Sequence, residues 1–192
     1  MALKGQKTTA DYMDWNKLQS LILKLERDDE SKFALLIATG IYTALRISDI
    51  LQLRWSDLVD NDVIQLTEKK TRKFRRIKIN QNLKDIIFRN YQNQSKEELV
   101  FINRFGTSAI SVQYVNRKLK EIASRYNLTN DIQKFKSHSF RKSFGRHVVE
   151  QNNYSSKSLL LLSELMNHHS VKTTKIYLGL REQEILDVYD NL

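Results

Sequence analysis

The segment T-A-L-R-I-S-D-I-L-Q-L-R-W, residues 43–55, marks the point where the chain changes from helical to extended patterning. Before it, apolar residues recur at helical spacing, which predicts one helix starting after Asp14 and a second starting near Ser31. Inside it, Ser48 is a candidate N-cap for a third helix that runs towards Trp55. After it, apolar and polar residues alternate with period two, which is typical of strands.

The alternating stretches predict one antiparallel hairpin. Ile64 and Leu66 alternate with polar neighbours, as do Ile77 and Ile79 after a strongly charged connection. Helical periodicity then returns and predicts helices over 83–91, 111–126, 139–150 and 158–166, a short one that holds Tyr177 and ends at Gly179, and a last one over 182–189. The sequence therefore predicts a mainly α fold with a small antiparallel β-sheet, in the α+β class.

Composition limits the kind of protein this is. A length of 192 residues with 41% apolar content suits one domain with a proper core. The formal charge of +10 favours a polyanionic partner, with nucleic acid ahead of a membrane. Without cysteine, a disulfide framework, a thiolate nucleophile and cysteine-ligated zinc are excluded. The start lacks a signal-peptide core and no apolar run is long enough to span a bilayer, so we expect a cytoplasmic protein.

A phosphodiester is the polyanion whose chemistry the residues suit. Its transfer requires a nucleophile, cations on the non-bridging oxygens and a proton for the departing oxygen. The acidic clusters, at residues 28–30 and around Asp60 and Asp62, fall in predicted turns and suit a two-metal nuclease poorly. A site built from Arg, Lys, His and Tyr without metal fits better.

Three motifs resemble those of the tyrosine recombinase (phage integrase) family. Residues 43–55 resemble its T-G-L-R-x-S-E-L-x-x-L-x-W motif, and residues 138–141, H-S-F-R, resemble its H-x-x-R motif. Residues 166–168, M-N-H, resemble its L-G-H motif, and Tyr177 follows at the family's spacing of nine positions. The resemblance covers about residues 12–185. It implies the family's catalytic-domain fold and cleavage and rejoining of DNA strands through a 3′-phosphotyrosyl intermediate, for integration, excision or inversion, without metal, ATP or cofactor.

The resemblance also assigns roles to the motif residues. Arg46 and Arg141 would each place a planar guanidinium on the scissile phosphate. His138 and His168 would donate to phosphate oxygens or accept the tyrosine proton. Tyr177 would be the nucleophile, and because an ordinary tyrosine is poorly ionised at neutral pH, the arginines would have to help it ionise.

The charged connection of the hairpin is where the family carries the lysine that protonates the leaving 5′ oxygen. Aligning the second strand favours Lys70 for this role, with Lys69 as the alternative. The remaining basic residues of the hairpin are expected to bind the DNA backbone, namely Lys69, Arg72, Lys73 and Arg75.

Some positions depart from the family pattern or play a supporting part. The family's glycines in the first and third motifs are replaced by Ala44 and Asn167, and Asn adopts a left-handed conformation less freely than Gly. Asp49 stands where the family commonly has an acidic residue and is expected to orient the arginines, although it could equally cap a helix. His147 matches no motif position and is expected to be structural.

We expect a single catalytic domain over 1–192: an N-terminal tail over 1–11, a catalytic core over 12–180 and a tail helix over 181–192. We expect no N-terminal core-binding domain of the family's kind, which leaves two possibilities: an excised catalytic domain, or a short recombinase that resembles the fimbrial phase-switch invertases. The resemblance implies self-association on double-stranded DNA, as a tetrameric synapse with exchange of the tail, and allows a monomer without DNA. The alternatives are DNA relaxation of the type IB topoisomerase kind and a DNA-binding module without catalysis.

Overall fold

The computed structural model describes residues 10–180 and Tyr189. In this part of the chain the fold is mainly helical with one two-stranded antiparallel sheet, as predicted. The elements are α1 Trp15–Arg27, α2 Ser31–Thr43, α3 Ile47–Ile50, α4 Trp55–Leu58, β1 Val63–Thr67, β2 Phe74–Lys78, α5 Gln81–Asn90, α6 Val112–Arg125, α7 Ser137–Gln151, α8 Ser156–Leu165 and α9 Val171–Leu178. The predicted tail helix over 182–189 lies outside the described residues apart from Tyr189.

The first two helices build the centre of the molecule. Asp14 caps α1, since its side chain accepts a hydrogen bond from the Lys17 amide at 3.0 Å. Helix α1 is amphipathic and buries its apolar side, whereas α2 is buried almost all round and packs against α1, α5 and α7. Helix α2 is therefore the core helix that positions the residues that follow it.

The predicted hairpin is confirmed. Strands β1 and β2 pair antiparallel with Ile64 opposite Ile77, which places Ile64, Leu66 and Ile77 on the same face. The connection closes with a hydrogen bond from the Glu68 amide to the Lys73 carbonyl at 2.9 Å, and Arg72 takes a left-handed φ of 57°. The turn is thus held in one shape next to the helices.

The prediction of one helix capped by Ser48 and running towards Trp55 is wrong. Residue Arg46 is the N-cap of α3, Ser48 lies inside this short helix, and Trp55 begins the separate helix α4. The segment between them pairs with residues 98–100: the Val100 amide donates to the Leu53 carbonyl at 2.9 Å, and the Trp55 amide donates to the Glu98 carbonyl at 3.1 Å. These long-range bonds satisfy the backbone there and interrupt the helix.

Two apolar clusters share the interior. The larger one extends from Met13 to Phe140 and includes α1, α2 and α6, while a smaller one joins the end of α7 to α8 and α9. Residue Ala10 is already buried and the Asp11 carboxylate accepts from the Lys134 amide at 2.9 Å, so packing begins just before the predicted boundary at residue 12. Of the helices described, none is long and apolar enough to cross a membrane.

Candidate active site

One open cavity of about 550 Å³ brings together the six residues that the sequence analysis assigned to catalysis. They come from five parts of the chain: the start of α3, the hairpin turn, the first turns of α7, the loop after α8, and α9. The lining consists of Arg46, Lys70, Thr71, Lys73, His138, Arg141, Asn167, His168, His169, Thr173 and Tyr177. Its charged lining residues are all cations, so the cavity suits an anion.

The left-handed end of α2 aims Arg46 at the cavity. Ala44, at φ 52°, ends α2 where the family has glycine, and Arg46 then takes an extended conformation as the N-cap of α3. Its Nη1 donates to Glu68 Oε2 at 2.5 Å, and its side chain is 17% exposed. One edge of the guanidinium is therefore held by protein, and the rest remains for a ligand.

Arg141 is fixed by the ends of two helices. Its Nη1 donates to the carbonyl of Ala44 and its Nη2 donates to the carbonyl of Met166 at 3.3 Å. These carbonyls terminate α2 and α8, where the last C=O groups lack helical partners and the helix dipole favours a cation. A buried guanidinium thus satisfies both helix ends and keeps its position relative to Arg46.

The loop that carries His168 has the Schellman form of a helix end. The Asn167 amide donates to the Glu164 carbonyl and the His168 amide donates to the Ser163 carbonyl, both at 2.9 Å. Asn167 has a φ of 52°, which explains why glycine is usual at this position of the family and why asparagine is accepted.

The imidazole of His168 is neutral near pH 7. Burial, together with the positive charges of Arg141, Arg46 and His169, lowers the pKa of His168 to about 4. Its Nδ1 lies 2.9 Å from the hydroxyl oxygen of Thr174, a fully buried residue of α9. Thr174 thus orients the ring, and the other ring nitrogen is left for a ligand.

His138 lies in the first turn of α7 with one side open to solvent. Partial desolvation by the surrounding protein lowers the pKa of His138, and the charges of Arg141, Lys70 and Arg46 lower it further. Both candidate histidines are therefore neutral at pH 7, each with one N–H donor and one acceptor nitrogen.

Tyr177 lies on α9 with its ring 5.1 Å from that of His168 in an edge arrangement. Its hydroxyl donates to the His138 carbonyl at 3.5 Å, and the ammonium of Lys142 lies 5.7 Å from the ring centre. Burial raises the pKa of Tyr177 above the usual value, although Arg141 and Arg46 act in the opposite direction. The arginines favour the ionised form as expected, but burial outweighs them.

The hairpin turn places Lys70 and Lys69 differently. Lys70 is exposed and lines the cavity, close enough to His138 for its charge to act on that ring. The Lys69 amide donates to Asp49 Oδ1 at 3.0 Å, and its side chain is absent from the lining. Of these two lysines, Lys70 is therefore the one that faces the cavity. Lys69, Arg72 and Lys73 are all exposed on the turn.

Two residues have partners other than those expected. Arg75 is held inside the protein, because its Nη1 donates to Glu68 Oε1 at 3.0 Å and to the Leu165 carbonyl at 2.8 Å. The carboxylate that contacts Arg46 belongs to Glu68, whereas Asp49 binds the Lys69 amide and leaves its buried Oδ2 without a partner. Asp49 thus anchors the hairpin turn to α3 instead of bonding to an arginine.

Sequence reasoning missed Glu68 and Thr174 as parts of this site. The available signal for Glu68 was its isolation, since it is the sole acidic residue in the basic stretch 67–78. Thr174 carries no comparable signal, because a threonine in a helix is common. His147, expected to be structural, stacks on Trp15 with ring centres 4.0 Å apart.

The described part of the chain offers no group of side chains that could bind a metal ion. Within residues 10–180 and at Tyr189, no three His, Asp or Glu side chains are grouped so that they could hold an ion. The cations and imidazoles around the cavity supply hydrogen-bond donors to an anion directly.

Known proteins share this sequence pattern and this fold. The Phage integrase family matches residues 11–184. A probable integrase/recombinase, YoeC of Bacillus subtilis, is 32% identical over 171 residues, which cover 89% of this chain and 87% of that protein. The tyrosine recombinase XerC of Xanthomonas axonopodis pv. citri is 30% identical over 77% of this chain and 47% of its own length. The chain thus spans nearly all of the first relative and about half of the second.

Solved structures share the fold at lower identity. The crystal structure of XerA recombinase superposes with a TM-score of 0.70 at 16% identity, over 98% of this chain and 66% of that one. XerH site-specific recombinase bound to its palindromic difH substrate, in a post-cleavage complex, gives a TM-score of 0.65 at 21% identity, over 93% and 52%. Family match, relatives and fold agree, and the chain therefore belongs to the phage integrase family of tyrosine recombinases, which are DNA strand-transferring enzymes.

Proposed function

We propose that this chain is a site-specific DNA recombinase that cleaves and rejoins strands through a 3′-phosphotyrosyl bond to Tyr177. The observation that carries the proposal is one cavity whose lining includes two arginines, two lysines, three histidines and this tyrosine. Its charged lining residues are cations and the imidazoles of His138 and His168 are neutral, as a reaction at a phosphate diester needs. The relatives XerC and YoeC, by their names a recombinase and a probable one, support the same activity.

The proposed reaction is one exchange at phosphorus. The Tyr177 oxygen attacks, the bond to the 5′ oxygen breaks, and the Lys70 ammonium gives that oxygen a proton. The tyrosine proton passes to a neutral imidazole, for which we propose His168, whose ring centre lies 5.1 Å from that of Tyr177. Arg46 and Arg141 bind the non-bridging oxygens, where charge concentrates in the transition state, and one such donor contributes on the order of 3 kcal/mol. Rejoining is the reverse, with a 5′ hydroxyl as nucleophile.

The partner we propose is double-stranded DNA, bound by the exposed lysines and arginine of the hairpin turn. We infer that copies assemble on it into a tetrameric synapse, and that the reaction takes place in the cytoplasm. The tail exchange expected for residues 181–192 lies outside the described residues. The relatives do not favour a type IB topoisomerase or an inactive DNA-binding module.

A nicked suicide DNA substrate that carries the sequences flanking the gene tests the activity. The wild-type protein is expected to form a covalent adduct that maps to the peptide with Tyr177, because loss of the short cleaved strand prevents rejoining. Tyr177→Phe should form none, whereas Tyr154→Phe, at an exposed tyrosine outside the cavity, should react like the wild type. An adduct that survives Tyr177→Phe, or no adduct with the wild type, would contradict the proposal.

A further inference from the structure

A single buried carboxylate connects the separate parts of the cavity wall. Glu68 is 0% exposed and lies just after β1. Its Oε2 accepts from Arg46 Nη1 and Thr71 Oγ1, both at 2.5 Å, and from Asn167 Nδ2 at 3.1 Å. Its Oε1 accepts from Arg75 Nη1 at 3.0 Å. These partners come from the start of α3, the hairpin and the loop before α9.

Glu68 is ionised at neutral pH in spite of its burial. Burial by itself would raise the pKa of Glu68, but the Thr71 hydroxyl and the charges of Arg46 and Arg75 outweigh it, and the pKa lies below the usual range. A buried anion with four donors fixes the orientation of each donor. For the planar guanidinium of Arg46, one bond at Nη1 sets the direction in which its remaining N–H groups point.

The same carboxylate also accepts hydrogen bonds from the two loop segments that carry Lys70 and His168. Thr71 follows Lys70 directly in the turn, and Asn167 precedes His168 directly in the loop. Arg75 extends the connection to the end of α8 through the Leu165 carbonyl. A shift of Glu68 therefore moves Arg46, Lys70 and His168 relative to one another, and such displacements are costly for reactions that depend on alignment.

We propose that Glu68 is a positioning residue that aligns Arg46, the Lys70 turn and the His168 loop for attack on the phosphate. This inference rests on the recombinase function proposed above. Because Glu68 is negative and lies behind Arg46, it opposes phosphate binding while it orients the guanidinium. Its contribution should therefore appear in the rate of strand cleavage and not in the affinity for DNA.

The test measures three quantities for each variant: the rate of adduct formation in a single turnover on suicide DNA, the Kd for the same DNA, and the thermal midpoint. Glu68→Gln keeps the shape and removes the charge. It should slow cleavage about 100-fold, in the range found when a preorganised donor is lost, with DNA affinity unchanged or tighter. Glu68→Asp keeps the charge with a shorter reach and should slow cleavage about tenfold.

The matched control is Glu26→Gln. Glu26 also binds an arginine through two bonds, to Arg89 Nε at 3.1 Å and Nη2 at 2.9 Å, but it joins α1 to α5 and does not line the cavity. It should lower the thermal midpoint and leave the cleavage rate unchanged. Equal loss of rate in Glu26→Gln, or loss of DNA affinity that accounts for the slower cleavage by Glu68→Gln, would overturn the inference.

The outcomes separate this inference from the proposed function. If the wild type forms no adduct, the proposed function fails. If the wild type forms the adduct and Glu68→Gln cleaves at the same rate, the recombinase function stands and the positioning role is wrong. Should Glu68→Gln not fold, Glu68→Asp decides: cleavage at the wild-type rate overturns the role, and slower cleavage with unchanged DNA affinity supports it.

Discussion

The charge state of His168 links the site to the stability of the fold. The pKa of His168 is about 4 in the folded protein because of burial and the nearby cations, against about 6.5 for an ordinary histidine. Between these values the unfolded chain binds more protons than the folded one. The contribution of His168 to the free energy of unfolding is therefore fully present above about pH 6.5 and is lost as the pH falls towards 4.

This depressed pKa gives a prediction at the scale of one residue. Lowering the pH from 7 to 5 should cost the wild type up to about 2 kcal/mol of unfolding free energy through His168 alone. The pKa values of His138 and His147 are also lowered, so they add to the slope. His168→Gln should flatten the dependence, as measured by denaturant unfolding at several pH values. His169→Gln, at the exposed neighbour, should keep most of it; equal slopes for the wild type and His168→Gln would refute the assignment.

The sequence predicted those site residues that lie close to one another along the chain. The eight residues between His168 and Tyr177 form a short loop and most of one helix, so the proximity of the two side chains follows from a short pattern. Glu68 differs, because its burial arises only when the hairpin packs against the end of α8 and the start of α3. Its isolation among basic residues sets Glu68 apart in the sequence but does not reveal these contacts, and neither Glu68 nor Thr174 was predicted for the site.

Helices α2 and α7 approach each other closely, and their contact determines the relation between the two arginines. Gly40 of α2 faces Phe140 of α7, and a Cβ at Gly40 would lie 2.4 Å from Phe140 Cδ2 and 2.9 Å from its Cβ. Arg46 follows α2, and Arg141 is the next residue after Phe140. The absence of a side chain at Gly40 therefore allows the two arginines to share one cavity.

Gly40→Ala should test this contact. In an exposed helix the change would stabilise by about 1 kcal/mol, but here overpacking should destabilise by about 1–3 kcal/mol. Gly145→Ala is the matched variant, since its Cβ would meet only the ends of flexible side chains, Leu178 Cδ2 at 2.6 Å and Met166 Cε at 2.9 Å. Denaturant midpoints should fall more for Gly40→Ala, with adduct formation falling too. A Gly40→Ala protein more stable than the wild type would show that the helices do not need this approach.

Among elements, the long ones were predictable and the short ones were not. Helices α1, α2 and α6 carry apolar residues at helical spacing over three or more turns, and all were found with small shifts at their ends. The expected helix from Ser48 to Trp55 became α3 and α4, because residues 53–55 bond to residues 98–100. These long-range backbone hydrogen bonds outweigh the helix preference of a segment this short, because only a few residues would contribute to the helix.

Charged side chains have different partners at the cavity and elsewhere in the described part of the molecule. Several basic side chains far from the cavity are paired with acids on the surface, such as Lys84 with Asp62 and Lys96 with Asp60. At the cavity, the exposed cations of the hairpin turn face outwards, while the buried acid, Glu68, is occupied by arginines. We therefore expect the affinity for DNA to depend more on where a few cations lie than on the formal net charge of +10.

A salt titration of DNA binding separates position from net charge. Replacing Lys69, Arg72 and Lys73 together by Gln should weaken binding and reduce the slope of log K against log salt by about 2–3, since each lost phosphate contact contributes about 0.9. The control triple replaces Arg27, Lys84 and Lys96 by Gln. All three form exposed ion pairs, none lines the cavity, and such pairs add little stability.

Both triple variants lower the formal net charge by the same amount, so any difference between them comes from where the charges lie. The control should show the DNA affinity of the wild type and the same slope of log K against log salt. In the hairpin variant, both the affinity and the slope should be reduced. If the two variants lose slope equally, DNA is attracted by overall charge and the hairpin turn has no special part in binding. If neither loses it, the contacts lie within the cavity itself, at Arg46, Lys70 and Arg141, and the turn serves only to carry Lys70.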